Sequence, residues 1–270
     1  MRLQKHCRLQ KGVNRILASG RMGLSFLELK IIILEPGEKY RERPKEKEGV
    51  LVVLSGKCRL DTPYLDGRGP ASLSGELGSR KDVFSGPPAG AYLGSGSSFF
   101  ITAQTQLEIA LFQSQTSLSL PSYIVKEETL KPEIRGGISF TRRVTDVVGI
   151  NSPAVRLIIG ETINEAGNWS SYPSHKRDRD KMPEESLLEE VYLFRFKPSA
   201  GFGLMRIYTE DGGLDKTLLL RHNDLVSIPK GYHPVVAAPG YHLYYLWALA
   251  GPKRVMKIYE DPEHSWVNQK

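Results

Sequence analysis

The 270-residue sequence has few of the features that define several large protein classes. Its two cysteines, Cys7 and Cys58, form no Cys-x-x-Cys pair, so we expect neither a disulfide framework nor a thiolate zinc site. Such sparse use of cysteine indicates a reducing compartment, and we predict the cytoplasm. No run of about 18 apolar residues occurs, so no membrane-spanning segment is expected. The basic N-terminal stretch lacks the apolar core and the cleavage site of a secretion signal.

Helical periodicity and nucleic-acid motifs are also missing. No window of about twelve residues shows a strong 3.6-residue repeat, which argues against long amphipathic helices. The net charge is +7, but the basic residues are scattered and form neither a basic helix nor an aromatic–basic motif. We therefore expect no nucleic-acid partner and no membrane partner. The positive charge is better suited to an anionic small molecule, such as a carboxylate substrate.

The sequence does contain a series of short apolar runs that are rich in β-branched and aromatic residues and separated by Gly, Pro and Ser. In the first half these runs lie at 25–40, 49–61 and 97–113. In the second half they lie at 154–163, 190–198, 201–209, 217–237, 241–251 and 254–261. This pattern is typical of a β-sandwich or a β-barrel.

The composition changes between 122 and 149, where the chain is more charged and less regular. We interpret this stretch as a connector between two strand-rich halves of about 120 residues each. The sizes of the halves predict an internally duplicated all-β chain, with domains at 1–125 and 126–270.

A candidate metal site begins in the stretch 167–191, which brings His175 and Glu190 into an otherwise apolar, strand-rich region. His233 follows later, after a Pro-Lys-Gly turn that can aim an imidazole inward. Imidazoles and a carboxylate are ligands that suit a divalent transition metal, although a lone strand histidine is more often structural. Residues i and i+2 of a strand share a face, so residue 177 should point the same way as His175.

Several motifs, taken together and in this order, resemble the 5-deoxy-glucuronate isomerase family of myo-inositol catabolism. They are GNWSSYPSHK, LEEVY, GFGLMRIYT, IPKGYHPV, PGYHLYYL and AGPKRV, with VFSGPPAGAYLGSGSSFFITA in the first half. The resemblance covers nearly the whole chain. It implies an all-β bicupin, with two double-stranded β-helix (jelly-roll) domains in tandem. Because the first half has no His-x-His motif, its cupin should be metal-free, and the C-terminal cupin should carry the active site.

The resemblance also implies a divalent metal (Zn, Mn or Fe) held by His175, Glu190 and His233. This chain departs from the family pattern at two informative positions. Arg177 stands where the family has a second histidine, and His242 stands where it has an aspartate. Arginine stays protonated and is not a usable ligand. His242 is therefore our candidate for the missing ligand.

Electrostatics limits what Arg177 can do in such a site. Two unit charges 4 Å apart interact by about 4 kcal/mol at an effective dielectric of 20, so a dication would repel the guanidinium by about 8 kcal/mol. Three alternatives follow. Arg177 swings out while another group completes the site, or the metal is lost and Arg177 binds a carboxylate directly, or the site is rebuilt for another substrate.

The activity implied by the resemblance is an aldose–ketose isomerisation of 5-deoxy-glucuronate to 5-deoxy-2-keto-gluconate. This chemistry needs an electrophile at the carbonyl and a base that moves a proton between adjacent carbons. Tyr192 and Tyr232 are unranked candidates for the base, together with a metal-bound water. Arg206 is a catalytic candidate, and Lys176 and Arg177 are candidates for binding the substrate carboxylate.

Two other functions remain open. One is a cupin enzyme with altered, hydrolase-type chemistry on a keto-inositol or a related sugar acid. The other is a metal-free protein that only binds a sugar acid. In each case the expected partner is an anionic small-molecule sugar acid, and the sequence leaves homo-oligomerisation open.

Overall fold

A computed structural model describes residues 1–63 and 72–269. These residues form short β-strands and two brief 3₁₀-helices, at Glu127–Thr129 and Ser265–Gln269. No helix within the described ranges is long and apolar enough to cross a membrane.

Eleven strands precede the first 3₁₀-helix. They are β1 (Gln4–His6), β2 (Gly12–Leu17), β3 (Glu28–Leu34), β4 (Lys39–Glu42), β5 (Lys47–Ser55), β6 (Cys58–Thr62), β7 (Leu73–Leu77), β8 (Gly90–Leu93), β9 (Phe99–Ala103), β10 (Leu107–Gln115) and β11 (Tyr123–Val125).

Fourteen strands follow that helix. They are β12 (Glu133–Arg135), β13 (Arg142–Val148), β14 (Ile158–Asn164), β15 (Trp169–Ser170), β16 (His175–Lys176), β17 (Asp178–Lys181), β18 (Glu185–Leu187), β19 (Glu189–Lys197), β20 (Phe202–Tyr208), β21 (Asp215–Arg221), β22 (Asp224–Ile228), β23 (Val235–Ala237), β24 (His242–Ala250) and β25 (Tyr259–Glu260).

The strands build one large and one small antiparallel sheet in each half. The first half has a six-stranded sheet, β11-β8-β5-β10-β3-β2, and a four-stranded sheet, β4-β9-β6-β7. The second half has a seven-stranded sheet, β1-β22-β19-β24-β14-β13-β12, a four-stranded sheet, β15-β23-β20-β21, and two ribbons, β16-β25 and β17-β18. Strand β1 crosses from the N-terminus to the second half, where Gln4 pairs with Val226. The all-β prediction is therefore confirmed.

Three hydrophobic cores hold these sheets together. One lies inside each half, and the third lies between the two large sheets and contains residues of both halves, such as Val50 and Val191. Strand β19 contributes to two cores because successive side chains point to opposite faces. Val191 and Leu193 face the first half, whereas Tyr192 and Phe194 face the interior of the second. Glu190, two residues before Tyr192, therefore lies on the interior face.

Two buried glutamates join the halves in a reciprocal way. The carboxylate of Glu48 on β5 accepts hydrogen bonds from the backbone N–H groups of 155–157, at 2.7–2.8 Å, just before β14. The carboxylate of Glu189 on β19 accepts hydrogen bonds from the backbone N–H groups of 25–27, at 2.6–2.8 Å, just before β3. This equivalence supports the predicted internal duplication.

The interpretation of 122–149 as a connector is wrong for its second part. Strand β13 pairs with β14 from Arg142 opposite Asn164 to Val148 opposite Ile159, and it belongs to the seven-stranded sheet. The stretch appears irregular because Arg142 and Asp146 share a face of β13 with the apolar Val144 and line a cavity with it. The charged residues belong to a cavity wall and not to a solvated linker.

Candidate active site

A cavity of about 400 Å³ lies inside the second sandwich. Strands β13, β14, β19 and β24 form one wall, and the segments around β16 and β25 cover it. The residues of this cavity that matter for chemistry are Arg142, His175, Arg177, Glu190, Tyr192 and Tyr245.

Strand alternation explains which part of the His175 segment faces the cavity. His175 and Arg177 both line it, in agreement with the expected i, i+2 geometry. Lys176, between them, points to the opposite side. Its ammonium donates hydrogen bonds to Asp178 at 2.9 Å and to Glu185 at 2.7 Å. The structure therefore does not place Lys176 where it could bind a substrate in this cavity.

A buried ion pair dominates the charge of the site. Arg177 Nη2 donates a hydrogen bond to Glu190 Oε2, and both side chains are almost fully buried. Burial alone would raise the pKa of Glu190, but the guanidinium of Arg177 and the neighbouring His233 outweigh it and lower this pKa to about 2. Glu190 is therefore an ionised carboxylate throughout the neutral range.

Two histidines present ring nitrogens beside this pair. Their rings lie edge to face with centroids 5.2 Å apart. His233 Nδ1 is 3.0 Å from the carbonyl oxygen of Gly231, and His175 Nδ1 is 3.3 Å from that of Pro173. A carbonyl can only accept, so each Nδ1 is assigned a proton, and in the unprotonated ring of His175 Nε2 keeps a lone pair. Burial, with the charge of Arg177 second, lowers the pKa of His175 well below its ordinary value.

The Nε2 atom of His233 is in an unusual position. It is buried and has no hydrogen-bond partner among the described groups. It lies 3.2 Å from Glu190 Oε2, but the direction of approach does not make a hydrogen bond. Gly231, at φ 91°, supplies the turn that aims this ring inward, as the Pro-Lys-Gly sequence predicts.

An aromatic wall closes the interior side of the cavity. Tyr192 stacks on Tyr245 with ring centroids 4.5 Å apart, and its hydroxyl lies 3.0 Å from the hydroxyl of Ser171. Burial, with the charge of Glu190 second, raises the pKa of Tyr192 well above its ordinary value. Tyr192 lines the cavity as a neutral phenol that can donate or accept a hydrogen bond, and not as a phenolate base.

Arg142 is a second cation of the cavity that our sequence analysis missed. It is half-buried on β13, and its hydrogen bond to the carbonyl oxygen of Phe140 is 3.2 Å long. That bond goes to a backbone carbonyl oxygen and not to a carboxylate. Burial lowers its pKa, which means that the charge is held at an electrostatic cost. The sequence did contain a signal for its position: Arg142, Val144 and Asp146 are alternate residues of one strand and therefore share a face.

Two further predicted site residues, Tyr232 and Arg206, lie outside the active-site cavity. Tyr232 and Arg206 line a separate cavity of about 550 Å³, where Tyr232 donates a hydrogen bond to Glu210 at 2.8 Å and Arg206 pairs with Asp215 at 2.7 Å. Tyr232 precedes His233, so strand-like alternation turns it away from the active-site cavity.

His242 does not reach the candidate metal site either. It is half-exposed at the start of β24, with Nδ1 3.1 Å from a carboxylate oxygen of Glu165. Tyr244, two residues later, packs in the core between the halves, whereas Tyr245 and Trp247 face the cavity. His242 lies on the same face of β24 as Tyr244, which is the face turned away from the cavity. It therefore cannot complete a ligand set with His175.

The residues of the site do not fit a metal ion as they are arranged. No group of three or more His, Cys, Asp or Glu side chains within 1–63 and 72–269 is placed to hold one. His175, Glu190 and His233 do converge, but the guanidinium of Arg177 is bound to Glu190. A dication 4 Å from that guanidinium would be repelled by about 8 kcal/mol.

Comparisons with known proteins agree with this architecture. The profile of the KduI/IolB family matches residues 4–267. A protein of Geobacillus kaustophilus named 5-deoxy-glucuronate isomerase is 36% identical over 247 residues, which cover 91% of this chain and 87% of that protein. One of Halalkalibacterium halodurans with the same name is 35% identical over 271 residues, covering 99% and 98%.

Solved structures show the same fold. An IolB-like protein of Salmonella typhimurium LT2 superposes with a TM-score of 0.93 at 30% identity, covering 99% of this chain and 100% of that one. An oxalate decarboxylase of Lactobacillus farciminis superposes with a TM-score of 0.71 at 13% identity, covering 100% and 91%. At that identity the likeness concerns the fold alone. The predicted bicupin fold is confirmed.

Proposed function

Because this chain belongs to the KduI/IolB family, we propose that it is a sugar-acid isomerase that converts 5-deoxy-glucuronate to 5-deoxy-2-keto-gluconate. The observation that carries the proposal is the cavity that places two cations, Arg142 and Arg177, beside the lone pair of His175. A uronate offers a carboxylate and an aldehyde, and this cavity has a group for each. The reaction belongs to myo-inositol catabolism, and we place it in the cytoplasm.

The reaction rearranges hydrogen and needs no external oxidant or reductant. A base removes the hydrogen on C2, the C1 carbonyl becomes the oxygen of an enediol, and a proton is returned to C1. The proton of the C2 hydroxyl is transferred to the C1 oxygen, so that C2 becomes the ketone and C1 becomes an alcohol. The protein must therefore supply a base near C2 and hydrogen-bond donors at the oxygen where negative charge develops.

The substrate carboxylate is assigned to Arg142. A guanidinium binds a carboxylate through two parallel hydrogen bonds. It can bind a substrate carboxylate in this way when its donors are not already bound to a carboxylate of the protein. Arg142 fits this role, because its hydrogen bond goes to the backbone carbonyl oxygen of Phe140 and leaves most of the guanidinium donors available. Arg135, also at the cavity, is paired with Glu133 at 2.6 Å and is exposed.

His175 is the best-placed base. Its Nε2 lone pair is available at neutral pH, because burial keeps the ring unprotonated. Glu190 is a poorer base, since it is held by Arg177 and its pKa is about 2. His233 Nε2 is fully buried. Tyr192 supplies a neutral hydroxyl that can relay a proton or hold a substrate oxygen.

NMR with 5-deoxy-glucuronate tests the proposal. We expect the aldehyde signal to be replaced by that of a ketone. In deuterium oxide, the product should carry deuterium at C1, because the base exchanges its proton with solvent. Binding without turnover would refute the isomerase and favour the sugar-acid binding alternative. Turnover of a keto-inositol without isomerisation would favour the hydrolase-type alternative.

A further inference from the structure

We infer that the cation of this active site is built into the chain: the guanidinium of Arg177 takes the place of a metal ion and binds the substrate oxygen that becomes negatively charged. The identity of that substrate rests on the proposed function. The inference that Arg177 replaces the metal ion is independent of the proposed function, because it depends on contacts among residues 175–190 and His233.

The first support is the position of Arg177. Its side chain is almost fully buried, and it is fixed from one side by Glu190. A guanidinium has five N–H donors, and this pair uses one of its amino groups. None of its nitrogens is among the buried atoms that lack a partner, although Nη2 is the one that bonds to Glu190. The remaining donors are therefore open to the cavity that Arg177 lines.

The second support is the set of groups around it. His175, Glu190 and His233 present two ring nitrogens and a carboxylate oxygen, which are electron-pair donors and suit a cation. The guanidinium already occupies Oε2 of the carboxylate. A dication bound to that oxygen would have to displace Arg177 from it and would then remain beside the guanidinium, because both side chains line the same cavity.

The guanidinium can supply what the reaction needs from a cation. Negative charge develops on the C1 oxygen while the C2 hydrogen moves to the base. Preorganised donors aimed at that oxygen stabilise it without any change in oxidation state. Glu190 acts as the positioning residue for Arg177, and Arg177 is the group in contact with the substrate.

The same geometry predicts a latent metal site. The rings of His175 and His233 and the carboxylate of Glu190 are held by other contacts than that with residue 177. A histidine at 177 would share the face of His175, as alternate strand residues do. Arg177→His should therefore create a site of three imidazoles and one carboxylate, which is a common ligand set for Zn²⁺.

Metal titration tests the inference without any substrate. The purified full-length protein is treated with a chelator, desalted, titrated with Zn²⁺ by calorimetry and assayed for bound zinc by mass spectrometry. We expect no stoichiometric binding to the wild type and about one Zn²⁺ per chain in Arg177→His. The matched control is Arg179→His, two residues away and exposed, which should behave as the wild type.

The wild-type result decides the inference even if the variant fails to fold. One tightly bound Zn²⁺ in the wild type that is lost in His233→Ala would overturn it. So would wild-type turnover that is abolished by the chelator and restored by metal, and the proposed function would then still stand. If the substrate is not turned over with or without metal, the proposed function fails, while the titration still decides the nature of the cation.

A lysine at position 177 tests whether the reaction needs the several N–H donors of the guanidinium or only its positive charge. Arg177→Lys keeps the charge but loses the guanidinium, so we expect kcat to fall about 100-fold with a smaller change in KM. Full activity in Arg177→Lys would contradict the assignment of Arg177 to the developing oxyanion.

Discussion

Glu190→Gln should destabilise the protein by about 3 kcal/mol at neutral pH. The pKa of Glu190 falls from an ordinary value of 4.5 to about 2, and each pH unit corresponds to about 1.4 kcal/mol, so the ionised form gains about 3 kcal/mol on folding. Loss of one partner of a buried pair costs a similar amount, because the other charge is left uncompensated. In this variant the unpaired charge would be that of Arg177.

The pH dependence of this difference has a defined sign. The folded-state pKa of Glu190 is depressed, so its contribution to stability is complete above pH 4.5 and is lost as the pH falls towards 2. Urea unfolding of the wild type and Glu190→Gln, followed by tryptophan fluorescence at several pH values, measures this. The two proteins should differ most at pH 7 and should converge as the pH is lowered through 4.

A matched control and a double variant sharpen the test. Glu165→Gln removes an exposed carboxylate and should change stability by less than about 1 kcal/mol. Arg177→Met combined with Glu190→Gln removes both charges, so it should recover part of the loss. If Glu190→Gln is as stable as the wild type at pH 7, Arg177 and Glu190 do not form a buried ion pair in solution.

Three further predictions concern the roles of individual residues. Arg142→Gln should raise KM for the sugar acid about 10- to 100-fold, because a charge-assisted contact to the carboxylate is lost. Arg143→Gln, on the opposite face of the strand, should leave KM unchanged. Equal effects of the two substitutions on KM would refute the assignment of the substrate carboxylate to Arg142. His175→Asn should lower kcat and the rate of deuterium incorporation together, by about 100-fold, while His242→Asn should keep both. Arg206→Gln should leave kcat and KM within about twofold in the same assay, since its partner is the exposed Asp215; a large loss would mean that the second cavity takes part in the reaction.

The fold was predictable because the strand signal is local. Runs of β-branched and aromatic residues bounded by Gly, Pro and Ser are set by neighbours in the sequence, and they gave an all-β chain in two halves. The convergence of His175, Glu190 and His233 is different. These residues come from β16, β19 and the segment before β23. Their ligand chemistry made them a candidate metal site, and the family resemblance implied that they meet.

Strand alternation could have excluded several of the wrongly predicted site residues from the sequence alone. Lys176 and Tyr232 each adjoin a residue that faces the cavity, so alternation places both on the other side. His242 is excluded by the same rule once Tyr245 is known to face inward. The contact between Arg177 and Glu190 was beyond such rules, because it depends on how a ribbon folds over a sheet.

The adjacent glutamates of β19 show how one fold serves two purposes after duplication. Strand alternation sends Glu189 towards the first half, where it holds backbone N–H groups, and Glu190 into the cavity, where it holds Arg177. In β5 the equivalent pair is Glu48 and Gly49. The first half thus keeps the glutamate that joins the halves and has no side chain where the second half has its carboxylate. The prediction that the N-terminal cupin is metal-free therefore gains a second reason, because the first half has no carboxylate at this place.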